Sequence, residues 1–197
     1  MSADAVLSEA SGERRFLRKG RLMKALKKLV YSAIFLALAL ILPFLTGQIP
    51  EIGAMLCPMH IPVLLCGFIC GAPWGAAVGF IAPLLRFVLF GMPPVFPTGL
   101  AMAFELAAYG FFSGLFCRIF PKKVPFLYAS LALSMVIGRL IWGAAQVVLC
   151  GITQKAFGLA EFWAGAVASA VPGILVQVIL IPVLVLALRR AKLTLND

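Results

Sequence analysis

The chain of 197 residues is 63% hydrophobic and only 12% charged, with a mean hydropathy of +1.08, against roughly 45–50% apolar and 25% charged residues in a soluble domain. That excess excludes a soluble globular protein and fits a bilayer, where each spanning helix takes about 20 predominantly apolar residues. The formal net charge of +10 is confined to a few segment ends, which argues for anionic lipid headgroups beside the spans and against a nucleic-acid partner.

Residues 1–22 form a basic, polar and partly amphipathic segment in which Arg14, Arg15, Arg18 and Lys19 flank Phe16 and Leu17. The first span is expected over 23–46. Its apolar run from Leu29 to Leu45 is longer than the core of about 7–15 residues in a cleaved signal peptide. A loop over 47–55, with Pro50 and Glu51, leads to a second span over 56–70 and a third over 74–90, joined by the turn Gly71-Ala72-Pro73. Gly67, Gly71, Gly75 and Gly79 recur every fourth residue, a spacing that lets helices approach closely in lipid. The segment 91–99 holds Pro93, Pro94 and Pro97 and reads as a stiff loop, because proline removes donors and fixes φ.

The fourth span is expected over 100–120, ending at Pro121-Lys122-Lys123, and the fifth over 125–150. A loop with Lys155 and Gly158 precedes the last span, 162–188, in which Pro172-Gly173 predicts a kink. The reading is an all-α integral membrane protein, a bundle of about six transmembrane helices over 23–192, with a tail at 193–197.

The basic residues orient that bundle. Eight of the 17 Lys and Arg residues fall between Arg14 and Lys28, and Arg118, Lys122, Lys123, Arg189, Arg190 and Lys192 sit at two later segment ends. Six spans place all fourteen on one side, which the positive-inside bias makes the cytoplasm, with both termini there and Lys155 alone outside. The five cysteines, Cys57, Cys66, Cys70, Cys117 and Cys150, are scattered in apolar segments and read as small buried hydrophobes rather than a disulfide framework. Cys66 and Cys70 share a helix face, but the single histidine lies too far along to complete a metal site.

Ionisable side chains inside a membrane are expensive, so each needs a partner, a cavity or a function. Here they are Arg86, Glu105 and Arg139, with His60, Gln146 and Gln177 as polar companions. The predicted topology puts all six in the outer half of the bundle, although they come from five helices. Arg139, Trp142, Gly143 and Gln146 share one helix face, as do Met102, Glu105, Tyr109 and Phe112. A mostly apolar pocket with a few placed polar groups is the usual form of a small-molecule site. The structural alternatives are a simple Glu105–Arg139 pair between two helices, an Arg86 that snorkels to headgroups, a His60 that only bonds between helices, and a Trp142 that only packs. Two arginines against one glutamate leave a surplus of +1, which an anionic ligand would balance if all three share one cavity. The chain carries neither a nucleophile-elbow sequence nor a phosphate-cradling loop, so it is not expected to be an enzyme.

These residues resemble the substrate-binding S component of an energy-coupling factor (ECF) vitamin transporter. The resemblance rests on the size, on Ala33-Ile34-Phe35-Leu36-Ala37 in the first span, on Pro58-Met59-His60-Ile61-Pro62 followed by Gly67, Gly71, Pro73, Gly75 and Gly79, and on Gly91-Met92-Pro93-Pro94 leading to Glu105, with Gly138-Arg139 beyond. It covers about Lys24 to Lys192. It implies a bacterial cell membrane, an outward-facing site built by helices four to six with the loop after helix one as a gate, and a docking patch at Ala33 and Ala37 for a transmembrane coupling subunit. Two partner ATPases would hydrolyse the ATP, leaving this chain without a cofactor, and the loaded subunit would topple to release its vitamin inward.

The expected site residues are His60, Arg86, Glu105, Tyr109, Arg139, Trp142, Gln146 and Gln177. The surplus positive charge makes pantothenate the first candidate ligand, with riboflavin, a pyrimidine or pyridine vitamin, or a deazaguanine read by Glu105 still open. The alternative function is a stand-alone secondary transporter with Glu105 as its protonatable group, and a membrane enzyme is the third.

Overall fold

A computed structural model describes residues 3–46, 56–153, 158–165 and 170–196, with side chains described over 18–44 and from 56 onward in the same segments. The long elements are α1 (Ala3–Ile41), α3 (Ala72–Phe90), α4 (Leu100–Ile119), α5 (Val124–Ile152) and α7 (Val171–Arg190), with two short helices, α2 (His60–Cys70) and α6 (Leu159–Trp163). No strand occurs among the described residues. Five helices are long and apolar enough to cross a membrane, and α2 is a shorter apolar helix among them. The exterior is apolar, with Val88 at 75%, Val148 at 63% and Ile179 at 68% exposure. An outer surface of that kind needs lipid to cover it, and the chain is a multi-pass membrane protein.

The basic segment ends meet at one end of the bundle, where the Arg189 side chain reaches Cys117 and Lys28 lies near Gly71. The helix α1 is longer than its expected span. Its 39 residues cover roughly 58 Å at about 1.5 Å per residue, nearly twice a hydrocarbon core of about 30 Å. It ends in a tighter turn, Leu42–Thr46. The expected loop over 47–55 and Lys155 lie outside the described residues.

The helix α2 is shorter than the span expected over 56–70, and every one of its eleven residues is buried. Two neighbours set its start. Cys57 holds a left-handed φ of 47°, which breaks any helix arriving from upstream, and Pro58 then withholds a backbone donor. His60 therefore stands on the first turn of a helix that begins inside the protein, its N–H donating to Cys57 O at 3.0 Å.

The glycine row brings α2, α3 and α4 together. A methyl group on Gly75 would strike Gly110 O, and one on Gly79 would strike Leu106 O. The same addition to Gly75 would come within 2.7 Å of Gly67 Cα, so three backbones meet at one level. Contact this close lets dispersion act without any hydrophobic drive between the helices. Gly71, second in the row, does a different job: with φ at 102° it turns the chain from α2 into α3.

Two expectations for loops change. Between Gly91 and α4 the chain does not stay irregular, since Val95–Gly99 makes one helical turn, interrupted by extended Phe96 and closed by Gly99 N–H on Pro94 O at 2.9 Å. The Met92–Pro93 and Phe96–Pro97 peptides are both cis. Pro172, the expected kink in the last span, stands in the first turn of α7, where proline costs no helical hydrogen bond; residues 166–169, between it and α6, lie outside the described residues. At the start of α6 the Glu161 backbone N–H and that of Gly158 hold the Glu161 carboxyl below its usual pKa.

Candidate functional site

The N-terminal turn of α2, one turn and a half of α4 and the middle of α5 converge on one carboxylate. Glu105 on α4 is 2% exposed, and its Oε1 lies 2.8 Å from Arg139 Nη1 and 3.4 Å from His60 Nε2. The first distance is a short ion pair; the second contact is longer and is not aligned as a hydrogen bond. Tyr109, one turn beyond Glu105, stands edge-on to the His60 ring at 5.2 Å and against Gly138. A side chain at Gly138 would collide with that tyrosine ring, so the small residue beside Arg139 is what lets α4 and α5 close over the pair. Arg139 Nη2 also lies 3.6 Å from Cys57 Sγ.

Glu105 and Arg139 balance each other's charge, so the cluster carries no surplus. Its hydrogen-bonding capacity is nevertheless unspent, since His60 Nδ1 and Arg139 Nε are buried and have no hydrogen-bond partner among the described residues. A buried donor left in that state costs about 1–3 kcal/mol.

A cavity of about 440 Å³ adjoins the cluster, within the roughly 300–1,000 Å³ usual for small-molecule sites. Arg139 and Tyr109 border it where it meets the cluster, and its surface is almost wholly apolar. Met135 and Leu140 on α5, Phe162 on α6, and Ile174 and Val178 on α7 supply apolar sides. It lies where α7 makes only sparse contact with α5 and α2.

Of the residues expected from sequence, His60, Glu105, Tyr109 and Arg139 come together. Trp142 sits one turn along, its ring 6.2 Å from that of Phe162 and pressed on Gly165. Gln146 is buried further out and accepts from Cys150 Sγ at 3.6 Å. Gln177 is buried on α7. Arg86 is elsewhere. Its Nη1 donates to Leu40 O at 3.2 Å, and the guanidinium rests over the Phe44 and Phe90 rings at 5.7 and 5.8 Å. It therefore fastens the end of α1 to α3 and does not share the cavity, because depth along a helix does not determine which face a residue occupies. Cys57, Met135 and Phe162 were not expected. Met135 stands one turn before Arg139 on the same face, a signal available in the sequence; nothing in the sequence marks Cys57 or Phe162.

A multi-pass helical bundle with a buried polar cluster beside an apolar chamber is the form of a membrane-embedded small-molecule binder. The family of ECF transporter substrate-specific components matches residues 27–188, and the chain belongs to that family. It is accordingly the substrate-specific subunit of a transporter. No curated protein and no solved structure matches it.

Proposed function

We propose that this subunit captures a small water-soluble vitamin, pantothenate first among the candidates, from outside a bacterial plasma membrane and delivers it inward through a partner module. The observation that carries the reading is Arg139, the charged residue among those lining the cavity, whose Nε is buried beside it without a hydrogen-bond partner among the described residues. A carboxylate is the matching acceptor. His60 and Glu105 stand behind Arg139, buried and outside the cavity lining, and the apolar walls suit the paired methyl groups of pantothenate. With Arg86 elsewhere, the case for an anionic ligand rests on Arg139 alone and no longer on a charge surplus.

The energy would come from two ATPases acting through a transmembrane coupling subunit. Ala33 and Ala37 support that part of the reading: both are exposed on α1, opposite buried Ser32, Phe35 and Ala39, and offer a shallow face on which another helix can lie. The test is uptake of tritiated pantothenate by cells with and without a coupling module. The account expects uptake only with the module; uptake without it, abolished by a protonophore, would favour a solitary carrier using Glu105.

A further inference from the structure

Residues 192–196 are bound to the bundle in a way that neither ligand capture nor the family match explains, since the match stops at residue 188. Beyond α7 the Lys192 N–H donates to Arg189 O and the Leu193 N–H to Leu188 O, each at 3.0 Å. These are the two reversed bonds of a Schellman turn. Lys192 occupies its left-handed position with φ at 57°, where glycine is usual and a larger residue costs roughly 1–2 kcal/mol. Something after the turn must offset that cost.

The offset is visible in the next residues. The Leu195 N–H donates to Ile69 O at 2.8 Å, and Asn196 Nδ2 donates to Gly114 O at 3.0 Å. Ile69 is in the last turn of α2, whose carbonyls lack helical partners, so the strap caps a buried helix end. Asn196 lies in a notch that only small residues leave open. A methyl on Gly71 would stand 2.7 Å from Asn196 Oδ1, and one on Gly114 would strike Ala72 N. Nearby, the Arg189 guanidinium donates to Cys117 Sγ on α4 at 3.2 Å.

We propose that Leu193–Asn196 is a latch that clamps the basic end of α7 to α2 and α4, so that the helix bearing Ile174 and Val178 moves as one body with the rest of the bundle. Without it, α7 is held by its sparse packing on α2 and α5 and by the Arg189–Cys117 contact. Resting on the reading of the chain as a transporter subunit, the latch makes a push delivered at α1 carry the ligand wall with it. Binding does not need the latch; transfer does.

The test compares the full chain with one truncated after Lys192 and with Asn196→Ala, which removes a single donor and leaves the fold intact. Cys117 modification by N-ethylmaleimide, followed by peptide mass spectrometry, reads opening of α7 from α4. The expected result is modification about tenfold faster after truncation and about threefold faster in Asn196→Ala, as local opening grows. In proteoliposomes with the coupling module, tritiated pantothenate should bind each variant within about twofold of the full chain, while its uptake falls about fivefold after truncation. Unchanged Cys117 reactivity in both variants overturns the latch, as does unchanged uptake beside faster modification. Binding and uptake falling in proportion would also overturn it, leaving a folding element only. If the full chain binds no pantothenate, the ligand assignment is what fails; Cys117 reactivity still decides the latch, and the transport comparison is repeated with the molecule that co-purifies.

Discussion

Arg139 Nη1 lies 2.8 Å from Glu105 Oε1, and this pair ties α5 to α4 behind the cavity that Arg139 lines. Breaking a buried pair by removing one member costs about 3–5 kcal/mol, largely because the other charge is stranded. Removing both avoids that penalty. Arg139→Ala should therefore lower thermal stability and weaken ligand binding by two orders of magnitude or more, whereas Arg139→Ala with Glu105→Ala should regain most of the stability and none of the binding. Melting curves and equilibrium binding on the two variants check this; binding that returns with stability would reduce the pair to a structural role.

Arg86 carries the opposite expectation. Its bonds run to Leu40 O and the Phe44 and Phe90 rings, so Arg86→Met should cost stability of about 1–3 kcal/mol and leave ligand affinity within about threefold. A stable Arg86→Met protein that no longer binds would place this residue in the site after all.

How much of this could be read beforehand differs from residue to residue. Hydropathy identified the long helices because lipid imposes length and apolarity on each of them. Depth arithmetic brought His60, Glu105 and Arg139 to one level, and they do meet. It also put Arg86 there, and failed, because level says nothing of azimuth: Arg86 turns toward α1. The short α2 was hidden for another reason. Residues 56–59 are as apolar as the helix that follows, and only the left-handed Cys57 before Pro58 stops helix there. A pocket among the later helices was expected, but its apolar walls and shape were not legible, since they arise where α5 and α7 fail to pack closely, which no single residue encodes.

The backbone contact at Gly75 and Gly110 leaves no room for a side chain. Each would drive a methyl into the other's carbonyl oxygen, so Gly110→Val should cost more than about 3 kcal/mol through overpacking and forced separation of α3 from α4. The readout is the amount of folded protein recovered from membranes, expected to collapse. Normal recovery with a normal melting temperature would contradict the packing described.

Ala33 and Ala37 present a shallow exposed face on α1, away from the cavity. Ala33→Trp and Ala37→Trp should each spare ligand binding and block uptake driven by the coupling module, since bulk at a small-residue face holds a partner helix off. Parallel assays of binding and uptake decide it, and unchanged uptake in both variants would remove the docking assignment.

The central claim is that Arg139 receives an anionic vitamin in the chamber between α4, α5 and α7. Native mass spectrometry of the protein as purified from its membrane, set beside Arg139→Ala, tests it most directly. The account predicts one bound carboxylate of pantothenate mass in the unaltered chain and none in the variant. A neutral or cationic ligand retained equally by both would contradict it.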